Sequence, residues 1–335
     1  MTTFRSTIAV GALALAALSA PARADVEHAT VAMPAVAMIF ATEYIAQDAG
    51  IYKAEGLDVK EQVIAGIGAT NAVIAGSMDF GYASGVTLTR ASAHNQPILG
   101  IARTYQHTGF WLVVSKKIAE AGHFDANAPL AERAKLLKGL RWAVGGSIQA
   151  IPHAYLNDIA AVGGLDPTKD YLVTAMMPTD QLASLEHGAV DGVSAGPPIV
   201  EQAVKDGIGV IITDGNKDPD WLKDVAANVV LTRPDTCEKR RTVCEKMGHA
   251  TAKALLFMHQ HQKEAMEILG KRVNVTDPAV LAEAFKHTLE ATPETAQLDA
   301  QELATADRMN VEAGFMKRED MLSSYTKIFT NEFVK

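Results

Sequence analysis

The chain has 335 residues, with 31 Lys+Arg against 39 Asp+Glu and two cysteines. That length exceeds the size at which one hydrophobic core stops growing, so two domains or lobes are expected. A formal charge of −8 argues against a nucleic-acid partner, which needs a basic footprint. The 25 glycines are scattered without a short period, which excludes collagen-like and low-complexity readings.

Arg5 precedes an apolar run from Ile8 to Ala20, followed by Pro21-Ala22-Arg23-Ala24. A charged start, a short apolar stretch and an Ala-x-Ala site describe a secretory signal peptide over residues 1–24, cleaved after Ala24. The run is shorter than the roughly 20 residues that span a bilayer. The segment holds two Arg and no acid, so its removal takes the formal charge from −8 to −10. The mature protein is expected in an oxidising compartment such as the periplasm.

The next third alternates strand and helix signals. His28 to Ile39 is apolar and carries Pro34; Thr42 to Ala49 reads as a short helix stopped by Gly50. Leu57 to Ile64 has a strand pattern. Gly66-Ile67-Gly68-Ala69-Thr70-Asn71 leads into a helix through Ala75. Asp79 to Ala83 is a short strand, Val86 to Ala93 a helix, and Pro97 to Arg103 the next strand. This order predicts a parallel sheet covered by helices.

Gly109 to Ser115 is a strongly apolar strand, and Lys116 to Lys138 reads as helix and loop. A second α/β set follows. Its strands are Leu140 to Val144, Tyr171 to Ala175, Gly192 to Ser194 and Val210 to Ile212. Its helices are Ile148 to Val162, Thr179 to His187 and Ile199 to Lys205. Ala227 to Thr232 is a further apolar strand, and beyond it the pattern is helical. Met247, Ala250, Ala254, Phe257 and Met258 recur at helical spacing and make a core face. Two similar units joined by two apolar strands predict two lobes with a cleft between them, a common place for a small ligand.

Cys237 and Cys244 suit an exported protein as a disulfide. Seven residues of continuous helix rise about 10.5 Å, more than a bridge tolerates. A bridge therefore needs a break, with Pro234-Asp235-Thr236 starting a short first turn and a longer helix beginning near Thr242. The disulfide is favoured over two separate thiols.

Pro34 to Gly85 resembles the substrate-binding proteins of ABC importers, in the nitrate/taurine/sulfonate group (NMT1/THI5-like, SsuA-like). The residues that carry the likeness are Ala49-Gly50-Ile51-Tyr52, Glu55-Gly56-Leu57-Asp58-Val59, the Gly-rich turn, and Gly76-Ser77-Met78-Asp79-Phe80-Gly81. Leu185 to Gly192 repeats the last idea, and Gly314 to Asp320 looks like the family's ending. The resemblance implies an α/β, two-lobed periplasmic-binding-protein-like fold of type II, with a hinge and extra C-terminal helices. Lobe one would comprise residues 25–110 plus 228–335, and lobe two residues 111–227. The implied function is capture of a small-molecule ligand and delivery to ABC permease transmembrane subunits, by a monomer without a cofactor.

Gly66 to Thr70 follows a predicted strand and opens a helix, so its N–H groups offer an anion site or form a plain turn. A dinucleotide fingerprint would need glycine where Asn71 stands, and Asp79 comes too soon for its ribose contact. Within this stretch Gly68, Ala69 and Thr70 are the candidate ligand residues. Ser84 and Ser147 each follow a strand and head a helix, in matched positions of the two units. Each either caps its helix or faces the other across the cleft and donates to the ligand. Gln149 and His153 lie on the first turns of the Ser147 helix and could reach the cleft; a lone histidine such as His153 is more often a structural residue. The family's loop at Gly196-Pro197 meets the ligand, and Pro34 matches a similar loop. Tyr105 and Trp111 either stack on ligand or fill core, with core favoured for Trp111.

Enzyme signals are thin. A Gly-x-Ser-x-Gly elbow fails at Gln149 around Ser147 and at Tyr82 around Ser84, and HExxH is absent. His259-Gln260-His261 places two histidines on different helix faces, so no metal site is expected. Arg103 is the nearest arginine for pairing with an anion, or it serves an ordinary ion pair. An exported hydrolase or lyase, or a ligand-sensing receptor on the same fold, are the competing functions.

Overall fold

The computed structural model describes residues 26–334. The signal segment and its cleavage site after Ala24 lie outside the described residues. In chain order the strands are β1 (Glu27–Met33), β2 (Leu57–Val63), β3 (Phe80–Ala83), β4 (Leu99–Tyr105), β5 (Trp111–Ser115), β6 (Arg141–Gly145), β7 (Leu172–Met176), β8 (Gly192–Ala195), β9 (Gly209–Ile211) and β10 (Asn228–Thr232). The helices of the first unit are α1 (Ala41–Asp48), α2 (Ile51–Ala54), α3 (Ile67–Ile74) and α4 (Gly85–Ala93). Those of the second are α5 (Lys116–Ala121), α6 (Leu130–Ala134), α7 (Ile151–Val162), α8 (Pro178–Glu186) and α9 (Ile199–Lys205). The tail adds α10 (Pro234–Lys239), α11 (Arg241–Gln260), α12 (Gln262–Arg272), α13 (Pro278–Glu290) and α14 (Ala300–Glu312).

Two five-stranded sheets share one topology. Their orders are β2-β1-β3-β10-β4 and β7-β6-β8-β5-β9. In the first, β1 runs parallel to β2 and β3, while β10 is antiparallel to β3 and β4. In the second, β6 runs parallel to β7 and β8, while β5 is antiparallel to β8 and β9. The strands of the first unit run parallel to one another as expected, but β10 enters between β3 and β4 in reverse and makes the sheet mixed. The antiparallel strand reaches each sheet by crossing from the other, so it enters from the opposite end.

The first strand ends at Met33 rather than at Ile39. Proline lacks the N–H that would continue the ladder, and the Pro34 carbonyl accepts the Gly66 N–H at 2.9 Å. The first sheet buries Val31, Phe80 and Tyr82 against Ile45 of α1 and Met247, Ala250, Ala254 and Met258 of α11. The second buries Leu112, Trp142 and Val144 against Tyr155, Leu156 and Ile159 of α7. Helix α14 packs on both α4 and α7, so it touches both halves.

Cys237 and Cys244 form a disulfide with a Cα–Cα separation of 5.6 Å. The helix breaks at Arg240, with φ −132° and ψ 53° between α10 and α11. That break lets residues seven apart approach. Closing so short a loop removes roughly 2 kcal/mol of unfolded-state entropy. Cys237→Ala/Cys244→Ala is expected to lose about that much in urea denaturation, and wild type under reductant should fall to the same midpoint. An unchanged midpoint would show that the bridge adds nothing to the fold.

Glu43 of α1 is fully buried. Its Oε2 accepts the Tyr52 hydroxyl at 2.5 Å and the Tyr82 hydroxyl at 2.9 Å, while Oε1 has no partner among the described residues. Burial pushes its pKa up from 4.5 to about 7; the two tyrosine bonds oppose this and Glu61 adds to it. A raised carboxyl pKa means that the folded state holds the proton longer. Stability from this group is full below about pH 4.5 and is lost as pH rises to about 7. The loss is roughly 3 kcal/mol. Glu43→Gln is expected to melt higher than wild type at pH 8, with the gap closing towards pH 5; parallel pH profiles of melting temperature would contradict this.

Candidate functional site

The strands that run parallel within each sheet send their carboxyl ends towards a cleft between the two sheets. Residues at the starts of five helices line it. They are Gly66, Ile67 and Thr70 at α3, Ser84 and Thr87 at α4, and Ala150, Ile151 and Pro152 at α7. Pro178, Thr179 and Gln181 come from α8, and Pro198 and Ile199 from α9. The antiparallel strands present their amino ends instead, as Phe110 before β5 and Asn228 at the start of β10. The cavity holds about 210 Å³. Its walls are largely apolar, with Val36, Ile39, Phe40, Phe110 and the prolines prominent, and no described lining residue is charged.

Of the residues expected at the site, Pro34, Thr70, Ser84, Ser147, Gly196 and Pro197 line the cleft. Ser84 is also the N-cap of α4, its Oγ accepting the Thr87 N–H at 3.3 Å. The helix expected from Ile148 begins at Ile151, because Gln149 takes a left-handed φ of 65°. Ser147 therefore heads no helix and sits in the preceding loop. Nor are the two serines topological equivalents. Ser84 follows β3, whose counterpart β8 leads to Gly196; Ser147 lies beyond β6, whose counterpart β1 leads to Pro34.

The structure leaves the other five out of the lining. Ala69 is fully buried against Ala32 and Val73, and Gly68 faces Ile64. Tyr105 is 1% exposed, with its ring under Gly109 of the crossover. Gln149 donates its N–H to His153 Nδ1 at 3.1 Å, and its carbonyl accepts from Arg90 at 3.0 Å. The His153 ring packs on Phe315 at 4.9 Å. Burial lowers its pKa to about 4, so it is a neutral acceptor at the start of α7. Arg103 pairs with Glu302, and Trp111 stacks on His287 at 5.0 Å.

Phe40, Phe110, Thr179, Gln181 and Asn228 line the cleft without having been singled out in the sequence. Thr179 and Gln181 carried a usable signal: they open a helix directly after a strand, as Ser84 does. Asn228 carried a weaker one, a polar residue at the head of an apolar strand. Phe40 lies six residues beyond Pro34 and had none.

The two halves touch directly. Gly66 has φ 56°, and a Cβ there would stand 3.1 Å from Ser147 Cβ and 3.3 Å from the Gly146 carbonyl oxygen. Glu201 of α9 meets His287 of α13 at 2.6 Å, and Lys205 pairs with Asp277. The Glu201 carboxylate holds the His287 imidazole above its usual pKa. Gly66→Ala is expected to obstruct the approach of Gly146 and Ser147 and to weaken ligand binding at least tenfold by calorimetry, through both the left-handed φ and the lost clearance. Wild-type affinity in that variant would show that the halves need not meet at this point.

Among the described residues no group of three or more His, Cys, Asp or Glu could hold a metal ion, and no helix is long and apolar enough to cross a membrane. A model of the NMT1-like family matches residues 23–273. No curated protein matches. A structure from Bordetella bronchiseptica RB50 is similar at TM-score 0.75 and 20% identity, over 91% of this chain and 95% of that one. The alkanesulfonate-binding protein SsuA from Xanthomonas axonopodis pv. citri, bound to MOPS, is similar at TM-score 0.71 and 16% identity, over 92% and 99%. The periplasmic nitrate-binding protein NrtA from Synechocystis PCC 6803 is similar at TM-score 0.65 and 18% identity, over 88% and 83%. At such identities these likenesses speak for the fold: two α/β lobes of the periplasmic-binding-protein type.

Proposed function

The chain belongs to the NMT1-like family, and we propose that it is the solute-binding component of an ABC importer. On this reading it is exported to the periplasm, captures a small anion (sulfonate, nitrate, carboxylate or phosphonate) between its lobes, and delivers it to a membrane permease. The observation that carries the reading is the convergence of helix starts from both halves on one cleft without charged side chains. Four of these helices have eight residues or more, and their N-termini favour negative charge.

Hydroxyls add neutral donors. Thr70 is 4% exposed and its Oγ1 makes no hydrogen bond among the described residues. Ser84, Thr87 and Ser147 stand on the same lining. No described lining residue is a histidine, cysteine, lysine or carboxylate that would activate a serine, which supports capture over catalysis. Ligand bound by both halves shifts the population towards the closed form, the form that a permease would recognise.

Thermal melting of the mature protein against nitrate, taurine, alkanesulfonates, carboxylates and phosphonates tests the proposal. A true ligand at about 100 times its Kd adds about 2.7 kcal/mol, a shift of a few degrees. Ser84→Ala and Ser147→Ala should each shrink that shift while the unliganded protein still melts cooperatively. A panel that moves nothing would defeat the reading.

A further inference from the structure

We infer that the ligand is an organic acid that also carries a neutral N–H or O–H donor, read by the carbonyl oxygens of Gln181 and Asn228. This rests on the capture reading above and narrows its ligand class. Both residues line the cleft, and both are deeply buried, at 1% and 2% exposure. They come from different halves of the molecule, Gln181 from α8 and Asn228 from β10.

The neighbours of each carboxamide fix which way it points. Gln181 Nε2 donates to the Ser194 carbonyl at 3.1 Å and lies 3.4 Å from the Ala143 carbonyl. Asn228 Nδ2 donates to the Ile39 carbonyl at 3.1 Å and to Thr104 Oγ1 at 2.9 Å. The Thr104 hydroxyl donates to the Asn228 backbone carbonyl at 3.3 Å, which leaves its oxygen to accept from the Asn228 side chain. Turning either amide over would set a carbonyl oxygen against acceptors. The opposite ends, Gln181 Oε1 and Asn228 Oδ1, therefore have their orientation imposed from behind. Neither has a hydrogen-bond partner among the described residues.

Both oxygens face the cleft as acceptors with no protein donor among the described residues, so a ligand that displaces water from them without supplying a donor loses affinity. They also repel an oxyanion, which brings only more acceptors. A ligand consisting of the anionic head alone leaves both unmatched. A ligand with a hydroxyl, amide or ring N–H satisfies them, while its apolar frame meets Phe40, Phe110 and Pro197. A site built to bond such a donor discriminates strongly against the analogue that lacks it.

Calorimetry of the mature protein with matched acids tests this. The pairs are benzoate with 3- and 4-hydroxybenzoate, benzenesulfonate with 4-hydroxybenzenesulfonate, and hexanoate with 6-hydroxyhexanoate. At least one donor-bearing acid should bind tenfold or more tighter than its parent, and Gln181→Met and Asn228→Leu should each shrink that ratio. Parents that bind as tightly as their partners would overturn this inference and leave the capture proposal standing. No binding by either kind, together with a melting panel that moves nothing, would overturn both. A ratio unchanged in both variants would remove the assignment to Gln181 and Asn228; if a variant does not fold, the wild-type ratio decides.

Discussion

Each sheet is completed by a strand that the chain must cross the molecule to deliver. β5 leaves the first unit to lie between β8 and β9, and β10 leaves the second to lie between β3 and β4. Both run antiparallel to their new neighbours. Two connections between the halves follow, residues 106–110 and 212–227, and they pass beside the cleft at Gly109, Phe110 and Ala227. A double connection permits hinged closure but opposes free rotation, which suits a binding site shared by two walls. The same exchange turns the amino ends of β5 and β10 towards the place where the other strands end. The lining is thus built from helix starts, the loops that follow β1, β6 and β8, and two crossover ends.

The chemistry of the cleft follows from that placement. Helix starts bring N–H groups and short hydroxyl side chains, neutral donors that favour an anion without a cationic partner. An acidic chain can therefore enclose an anion site, since net charge does not register neutral donors. The buried Glu43 sits just behind this lining and accepts the hydroxyl of Tyr82, which faces the cleft from β3. Its partly satisfied carboxyl is a cost in stability placed directly under the site, as strained or polar burdens often are.

Much of the architecture was readable because it rests on local rules. Alternation of apolar strands and helices located nearly every element, and the spacing of Met247, Ala250, Ala254 and Met258 placed one face of α11 in the core. The geometry of a bridge over seven residues demanded a helix break, and the break lies at Arg240. What failed was non-local or conformational. Nothing in the strand pattern said that β10 would enter the first sheet in reverse. Nothing around Gln149 announced a left-handed backbone, which moves the start of α7 and takes Gln149 and His153 out of the lining. Tyr105 looks suited to stacking on a ligand, but the crossover folds Gly109 onto its ring.

By itself the sequence determined an α/β chain of two similar units, its family, its disulfide, and Ser84, Ser147, Thr70 and the proline loops as candidates for the cleft. These depend on periodicity, on residue types at strand ends, and on the reach of a cysteine pair. Tertiary structure alone decided which loops oppose one another, because equivalence follows sheet order and not sequence order. It also decided that Gln181 and Asn228 belong with them. Their amide orientations are set by carbonyls from Ser194 and Ile39, contacts that exist only once the sheets have formed.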